Sequence, residues 1–148
     1  MKTLKLFFWV ILLQIFILNN LQFSGYINPY YYIIFILFLP NKINKSLSLI
    51  LSLLVGLSID MFSNTHGSHA FSCVLIGYLK IIWTRKTIQD SDETFDFFHR
   101  DIRRFIGFVL PFILIHHGTL FFLERFSFRE IIPIIKLTIS SSFFTLIL

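Results

Sequence analysis

Apolar runs long enough to cross a membrane dominate this chain. Five of them, each of 16 to 19 residues, cover residues 6–21, 47–64, 68–83, 105–123 and 131–148. An α-helix needs about 20 residues to cross roughly 30 Å of hydrocarbon. Charged residues make up only 14% of the chain, whereas a soluble domain carries about 25%. The sequence therefore predicts an all-α integral membrane protein in which residues 1–148 form a single polytopic domain.

A sixth apolar segment, residues 26–40, is shorter, and the distribution of Lys and Arg favours its crossing. With six crossings and an inner N-terminus, nine basic residues fall inside and two, Arg125 and Arg129, fall outside. The inner ones are Lys2, Lys5, Lys42, Lys45, Arg85, Lys86, Arg100, Arg103 and Arg104. Cytoplasmic loops are the ones that carry such an excess. We therefore expect a bundle of about six transmembrane helices, with an uncleaved first helix and both termini cytoplasmic.

One acidic residue, Asp60, lies inside the third apolar segment. A carboxylate within a membrane helix costs about 2.5–3.5 kcal/mol on insertion scales, so it faces protein rather than lipid. Small or polar residues recur every four positions along the same face, and these are Ser48, Ser52, Gly56, Asp60 and Asn64. Small residues let membrane helices approach closely. We predict that this face is a helix-packing or partner contact, within the chain or with another protein.

The predicted topology brings several polar residues to similar depths near the outer surface: His66, His69, His116, His117 and Glu124. A metal site could be built from three of these histidines with Asp60. The chain has no HExxH motif, and the loop spacing of His66 and His69 is uninformative. An aspartyl protease needs two carboxylates that share a proton, and only one lies within a span. We therefore predict an outer polar cluster of hydrogen-bonding histidines, with no catalytic residues, metal or cofactor.

The longest loop, residues 84–104, is predicted to be cytoplasmic and to carry a short amphipathic helix. Asp90 or Ser91 could cap this helix, and Phe95, Phe98 and Ile102 would then share one face. The loop ends in Arg100, Arg103 and Arg104. Such a helix lies on a membrane with its basic residues near lipid phosphates. We predict an inner-leaflet anchor that contacts membrane lipids. The net charge of +5 then needs no nucleic-acid partner to explain it, and none is predicted.

Short motifs in residues 55–80 resemble those of the rod shape-determining MreD family. A Gly-Leu-x-x-Asp element occupies residues 56–60, a Gly-x-x-Ala turn residues 67–70, and Gly-Tyr-Leu residues 77–79. The stretch IHHGTLFFLERFSF, residues 115–128, is similar to MreD-like chains of the Bacteroidetes type. Chain length, the number of apolar segments and the basic fourth-to-fifth loop extend the resemblance over nearly the whole chain.

This resemblance implies a non-enzymatic component of the cell-elongation machinery in the bacterial inner membrane. Its partners would be an MreC-like bitopic membrane protein and, directly or indirectly, the elongation-complex transpeptidase and glycosyltransferase. The implied fold resembles that of the substrate-binding subunits of energy-coupling-factor (ECF) transporters. Such a subunit is the alternative function, because the outer polar cluster could line a vitamin pocket.

Overall fold

All regular secondary structure is helical in the residues that the computed structural model describes, which are 2–21, 28–87 and 101–147. The α-helices in these ranges are α1 (Lys2–Phe16), α2 (Tyr32–Leu37), α3 (Lys45–Ser63), α4 (Ser68–Thr87), α5 (Ile102–Arg125) and α6 (Ile131–Ile147). Three segments, Lys45–Ser63, Ile102–Arg125 and Phe128–Ile147, are long and apolar enough to cross a membrane. The all-α class predicted from the sequence is thus confirmed for the described part of the chain.

Helices α3 and α5 begin and end at residues suited to those positions. The side chains of Asn44 and Asp101 each accept a hydrogen bond from the amide two residues further on, at 3.0 and 2.9 Å, and so cap α3 and α5. Asn64 and Phe126 end the same two helices in the left-handed conformation, with φ of 54° and 43°. Pro111 lies exposed inside α5, which continues through it.

Helices α4 and α5 pack antiparallel and set the two ends of the bundle. The hydroxyl of Thr119 donates to that of Ser72 at 3.1 Å near the start of α4, and the rings of Trp83 and Phe108 lie 4.6 Å apart near its end. We call the end that holds the α3–α4 turn the histidine end. The opposite end, where α3 begins and α4 finishes, is called the basic end.

The helix predicted over residues 26–40 is much shorter in the structure. Of its described residues, 28–40, only Tyr32–Leu37 is α-helical, about 9 Å at 1.5 Å per residue. The preceding backbone binds side chains from other helices. The Gln14 amide donates to the Pro29 carbonyl at 3.0 Å and accepts from the Tyr31 amide at 2.9 Å, and the Thr145 hydroxyl accepts from the Tyr30 amide at 3.1 Å. These partners replace the helical hydrogen bonds that buried backbone otherwise needs.

This short segment nevertheless follows α4 through the core of the bundle. The ring of Tyr30 lies 5.7 Å from that of His69, in the first turn of α4, and the Leu39 carbonyl accepts a hydrogen bond from the Lys80 ammonium. His69 and Lys80 are separated by about 16 Å of helix. The residues at most 6% exposed in this segment are Tyr30, Tyr32, Ile33, Phe35, Ile36, Leu37 and Leu39. The segment therefore forms the central layer around which the longer helices pack.

Candidate functional site at the histidine end

The Asp60 carboxylate joins the end of α3 to the start of α4. Its Oδ2 accepts from the Ala70 amide at 2.9 Å, and its Oδ1 accepts from the His69 amide at 3.1 Å and the Thr65 hydroxyl at 2.6 Å. The His69 ring nitrogen Nδ1 also lies 3.1 Å from Oδ1. Amides in the first turn of a helix have no acceptor within it, and the positive end of the helix favours a carboxylate. Asp60 therefore caps α4 from the preceding helix.

The turn between the two helices makes this cap possible. Asn64 adopts the left-handed conformation, and Gly67 has a φ of +89°, which a residue with a Cβ rarely adopts. The Thr65 amide donates to the Asp60 carbonyl at 3.2 Å and closes the last turn of α3. The chain thereby reverses direction within a few residues, and α4 starts beside the carboxylate.

The row of small and polar residues on α3 is covered by α4 of the same chain. Ser48, Ser52, Gly56 and Asp60 are buried, whereas Asn64 is exposed at the helix end and lies outside the packed row. A Cβ at Gly56 would come within 2.7 Å of the His69 carbonyl oxygen and closer still to the backbone of Ala70.

Gly77 of α4 makes the reciprocal approach toward α3. A Cβ at Gly77 would lie 2.6 Å from the Ser52 hydroxyl. Small residues on both helices thus bring the two backbones together. The sequence left open whether this face contacts another helix of the chain or another protein. In the structure it contacts α4 of the same chain.

Three histidines of the predicted outer cluster are buried together around two tyrosines. The Tyr30 ring lies 5.7, 6.2 and 5.1 Å from the rings of His69, His116 and His117. The Tyr32 hydroxyl lies 3.2 Å from Nε2 of His116. Neither tyrosine was identified as a cluster member from the sequence.

His117 is held at both ring nitrogens. Its Nδ1 donates to the Ile113 carbonyl at 2.8 Å, since a carbonyl can only accept, and its Nε2 lies 3.3 Å from the Thr145 hydroxyl. His116 has its Nε2 near the Cys73 thiol, at 3.9 Å, while its Nδ1 is buried without a hydrogen-bond partner among the described residues. The histidines thus connect α4, α5, α6 and the central segment.

His66 and Glu124 lie outside this buried group, at the surface. His66 is exposed in the α3–α4 turn, and Glu124 is exposed near the end of α5. Both border a surface cavity of about 590 Å³. Glu124 also borders a second cavity, of about 500 Å³, which is lined in part by Asn28, Tyr30 and His69. We call the second cavity the histidine-end cleft. The predicted cluster therefore divides into a buried core and a polar surface above it.

The chemistry of this arrangement is hydrogen bonding. Within residues 2–21, 28–87 and 101–147, no group of three or more His, Cys, Asp or Glu side chains is placed to hold a metal ion. Asp60 and His69 approach each other as an acid–base pair would, yet both oxygens of Asp60 also accept from backbone amides. A carboxylate so occupied orients and stabilises its neighbours.

The predicted inner-leaflet anchor lies only partly within the described residues. Residues 88–100, which include Arg100 and most of the predicted amphipathic helix, lie outside them. Arg103 and Arg104 are exposed in the first turn of α5, and Arg104 Nε lies 3.6 Å from Asp101 Oδ2. These two arginines are thus at the basic end of the bundle.

No protein-family model matches the chain, and no curated protein or solved structure matches it either. The functional assignment therefore depends on the residues and on their geometry.

Proposed function

We propose that this protein is a non-enzymatic component of the cell-elongation machinery in the bacterial inner membrane. In this proposal it crosses the membrane six times, with both termini in the cytoplasm. It binds an MreC-like bitopic membrane protein, and through it helps to organise the elongation-complex transpeptidase and glycosyltransferase.

One observation carries the proposal: the residues of the MreD-like motifs belong to one packing unit. Gly56 and Asp60, the ends of the Gly-Leu-x-x-Asp element, contact the same two residues of the Gly-x-x-Ala turn, His69 and Ala70. Gly77 of the third motif packs against α3. The acidic side chain of the third apolar segment, Asp60, is thereby committed to holding helices together. A protein built in this way acts through the contacts of its surface.

The direction of the segments supports six crossings. Asn19 Nδ2 donates to Ser63 Oγ at 3.2 Å, so α1 and α3 finish at the same end, and α5 runs antiparallel to α4. The segment from Tyr30 to Leu39 follows α4 between the two ends of the bundle. With this alternation, the nine-to-two excess of basic residues falls on one side, as cytoplasmic loops require.

Helices α1 and α6 each have an exposed face that a partner helix can cover. In the described part of the chain, α1 packs mainly against α2 and α3, and α6 packs mainly against α5. The outward residues of the two helices include Trp9, which is 71% exposed, and Phe143, which is 62% exposed. Ile15 of α1 and Leu137 of α6 both line the histidine-end cleft. We place the single helix of the bitopic partner along this cleft, where it touches both α1 and α6.

The test is to recover the partner and locate its contact. The tagged protein is purified from membranes and its partners are identified by mass spectrometry, with an MreC-like protein as the expected result. Site-specific cross-linking then uses a Cys73→Ser background, because Cys73 is the only cysteine. Ile15→Cys and Leu137→Cys, which both line the cleft, should cross-link to the partner.

Leu57→Cys and Tyr78→Cys are the matched controls, because both side chains are exposed, on α3 and α4. Cross-links at the control positions alone would contradict the placement. Absence of an MreC-like protein from the purified material would contradict the function.

A cellular experiment separates the two functions that the sequence supports. Depletion should turn rod-shaped cells round and leave vitamin uptake unchanged. Normal shape with failed uptake would instead support the alternative, a substrate-binding subunit of an ECF-type transporter. The observation that favours this alternative is the histidine-end cleft, whose volume of about 500 Å³ is in the range of small-molecule sites.

The alternative makes its own prediction for the purified protein. A vitamin-binding subunit retains its ligand through purification, and replacing Tyr30 by Ala would release it, because this side chain lines the cleft. Neighbouring genes give a further distinction: genes for MreC and a transpeptidase favour cell elongation, whereas vitamin genes favour uptake.

A further inference from the structure

A further cavity with a defined chemistry lies at the basic end, opposite the histidine cluster. It has a volume of about 180 Å³ and is enclosed by the α2–α3 connection, the start of α3 and the end of α4. Its polar lining residues are Asn41, Lys45, Ser48, Lys80, Thr84 and Arg85. Three of them are cations, and none of the described lining residues is acidic. We call it the basic pocket.

Lys80 is the decisive residue of this pocket. Its side chain is buried, and the residue is only 3% exposed. Its ammonium donates to the Leu39 carbonyl, and no carboxylate of the described residues forms an ion pair with it. An ammonium has three N–H donors, and a buried charge is costly unless it is paired. The pocket thus contains positive charge and hydrogen-bond donors that the described protein groups leave incompletely used.

The start of α3 adds to this positive field. Lys45 and Ser48, which both line the pocket, belong to the first turn of this 19-residue helix. The N-terminus of a helix carries about half a positive charge and favours anions. Lys45 and Arg85 are exposed at the mouth. The pocket therefore presents one buried cation, two exposed cations and a helix N-terminus to whatever enters it.

The size and position of the pocket indicate the kind of anion. A volume of about 180 Å³ corresponds to about six water molecules at roughly 30 Å³ each, which suits a phosphate group. In the proposed topology, the basic end faces the cytoplasmic leaflet, whose anionic headgroups are recognised by basic pockets between membrane helices. We propose that the basic pocket binds the phosphate of an anionic phospholipid. The proposal rests on the membrane topology given above and is independent of the partner protein.

The experiment measures lipid binding by the purified full-length chain. The protein in neutral detergent is titrated with phosphatidylglycerol, with phosphatidylcholine or with inorganic phosphate. Thermal unfolding and native mass spectrometry are recorded for each. Phosphatidylglycerol should give a saturable rise in melting temperature and a retained one-to-one adduct. Phosphatidylcholine should give at least tenfold weaker binding, because it has no net charge.

Charge-removing variants distinguish this pocket from general attraction to an anionic surface. Arg85→Gln and Lys45→Gln should each weaken phosphatidylglycerol binding by about tenfold, the size of one charge-assisted hydrogen bond. Both side chains are exposed, so folding should be preserved. Lys5→Gln is the matched control, because Lys5 is an exposed cation in the first turns of α1 and does not line the pocket. It should bind like the wild type.

Two results would overturn the proposal. Equal weakening by Lys5→Gln and Arg85→Gln would mean that the lipid senses overall charge and occupies no pocket. Saturation by inorganic phosphate, with loss of the preference for phosphatidylglycerol, would mean that the pocket binds a free anion. A normal lipid titration in a protein that recovers no MreC-like partner would leave this proposal standing while the proposed function failed.

Discussion

The two ends of the bundle differ in how many hydrogen-bond partners the chain gives to a buried charged side chain. At the histidine end, Asp60 accepts hydrogen bonds from three donors of the same chain, and the His69 ring nitrogen lies beside it. At the basic end, the buried ammonium of Lys80 donates to one backbone carbonyl and lies near two further cations. A buried charge whose hydrogen bonds are supplied by the chain itself stabilises the fold, whereas a buried charge with unused donors can bind a ligand. Substitutions should therefore affect folding at the first end and binding at the second.

Asp60→Leu is expected to have the largest effect. It removes the acceptor for the His69 and Ala70 amides and for the Thr65 hydroxyl, all at once. The free energy of unfolding should fall by about 3–5 kcal/mol, because three donors lose their acceptor and each buried donor left unsatisfied costs about 1–3 kcal/mol. Chemical unfolding in mixed micelles measures this change. Ser58→Leu on the same helix is the control, because its hydroxyl bonds only the Leu54 carbonyl of its own helix. Equal stability of the two variants would contradict the cap.

Gly56→Ala tests how closely α3 and α4 approach. The added methyl group would overlap the backbone of His69 and Ala70, so the helices must separate, at a cost of about 1–3 kcal/mol. Gly107→Ala is the control, since a Cβ at Gly107 meets nothing within 4 Å. That change should stabilise α5 by up to about 1 kcal/mol, because Ala is the better helix former. Opposite shifts in melting temperature are expected, and shifts of the same sign would exclude the close contact.

Tyr32→Phe removes one hydrogen bond from the histidine core. The His116 Nε2 that faces the Tyr32 hydroxyl at 3.2 Å would keep only the weaker thiol contact. We expect a loss of about 1–2 kcal/mol, as for a buried polar group that loses its partner. Tyr78→Phe, at a side chain that is 53% exposed, should leave the melting temperature unchanged. A larger loss at Tyr78 than at Tyr32 would argue against a structural role for the core.

Of these variants, Lys80→Met should change the free energy of unfolding least. It therefore tests whether the basic end differs from the histidine end. Methionine preserves the length of the side chain and removes a buried charge without a carboxylate partner among the described residues. An unpaired buried charge is costly, and its removal offsets the loss of the hydrogen bond to the Leu39 carbonyl, so the free energy of unfolding in neutral detergent should change by no more than about 1 kcal/mol. The gain in melting temperature from phosphatidylglycerol should disappear. A loss as large as that of Asp60→Leu would show that both ends are structural.

Much of the helical framework could be predicted from the sequence, because apolar composition and run length are local properties. Helices lie over five of the six predicted segments, and α3 (Lys45–Ser63) and α6 (Ile131–Ile147) differ from the predicted bounds by two residues at most. The prediction that residues 26–40 form one continuous helix was wrong, because residues 28–31 and 38–40 are not α-helical. What interrupts it is distant in sequence: Gln14 and Thr145 supply the partners for its backbone.

The candidate site was predictable only in part, for a related reason. A four-residue period places Ser52, Gly56 and Asp60 on one face of a helix, but it does not say which helix covers that face. The cap on α4 depends on the left-handed conformation of Asn64 and Gly67. The role of Lys80 depends on the Leu39 carbonyl, 41 residues away. Composition and periodicity carry no information about contacts of this range.

The cap on α4 also constrains how the chain can be made. A ribosome releases α3 before α4, so the carboxylate of Asp60 emerges ahead of the amides of His69 and Ala70 that satisfy it. Alone in lipid, α3 would carry an unsatisfied acid. Insertion of the two helices together, as a preassembled hairpin, avoids that state. In the proposed topology, a single side chain would thus couple the order of synthesis to the order of membrane entry.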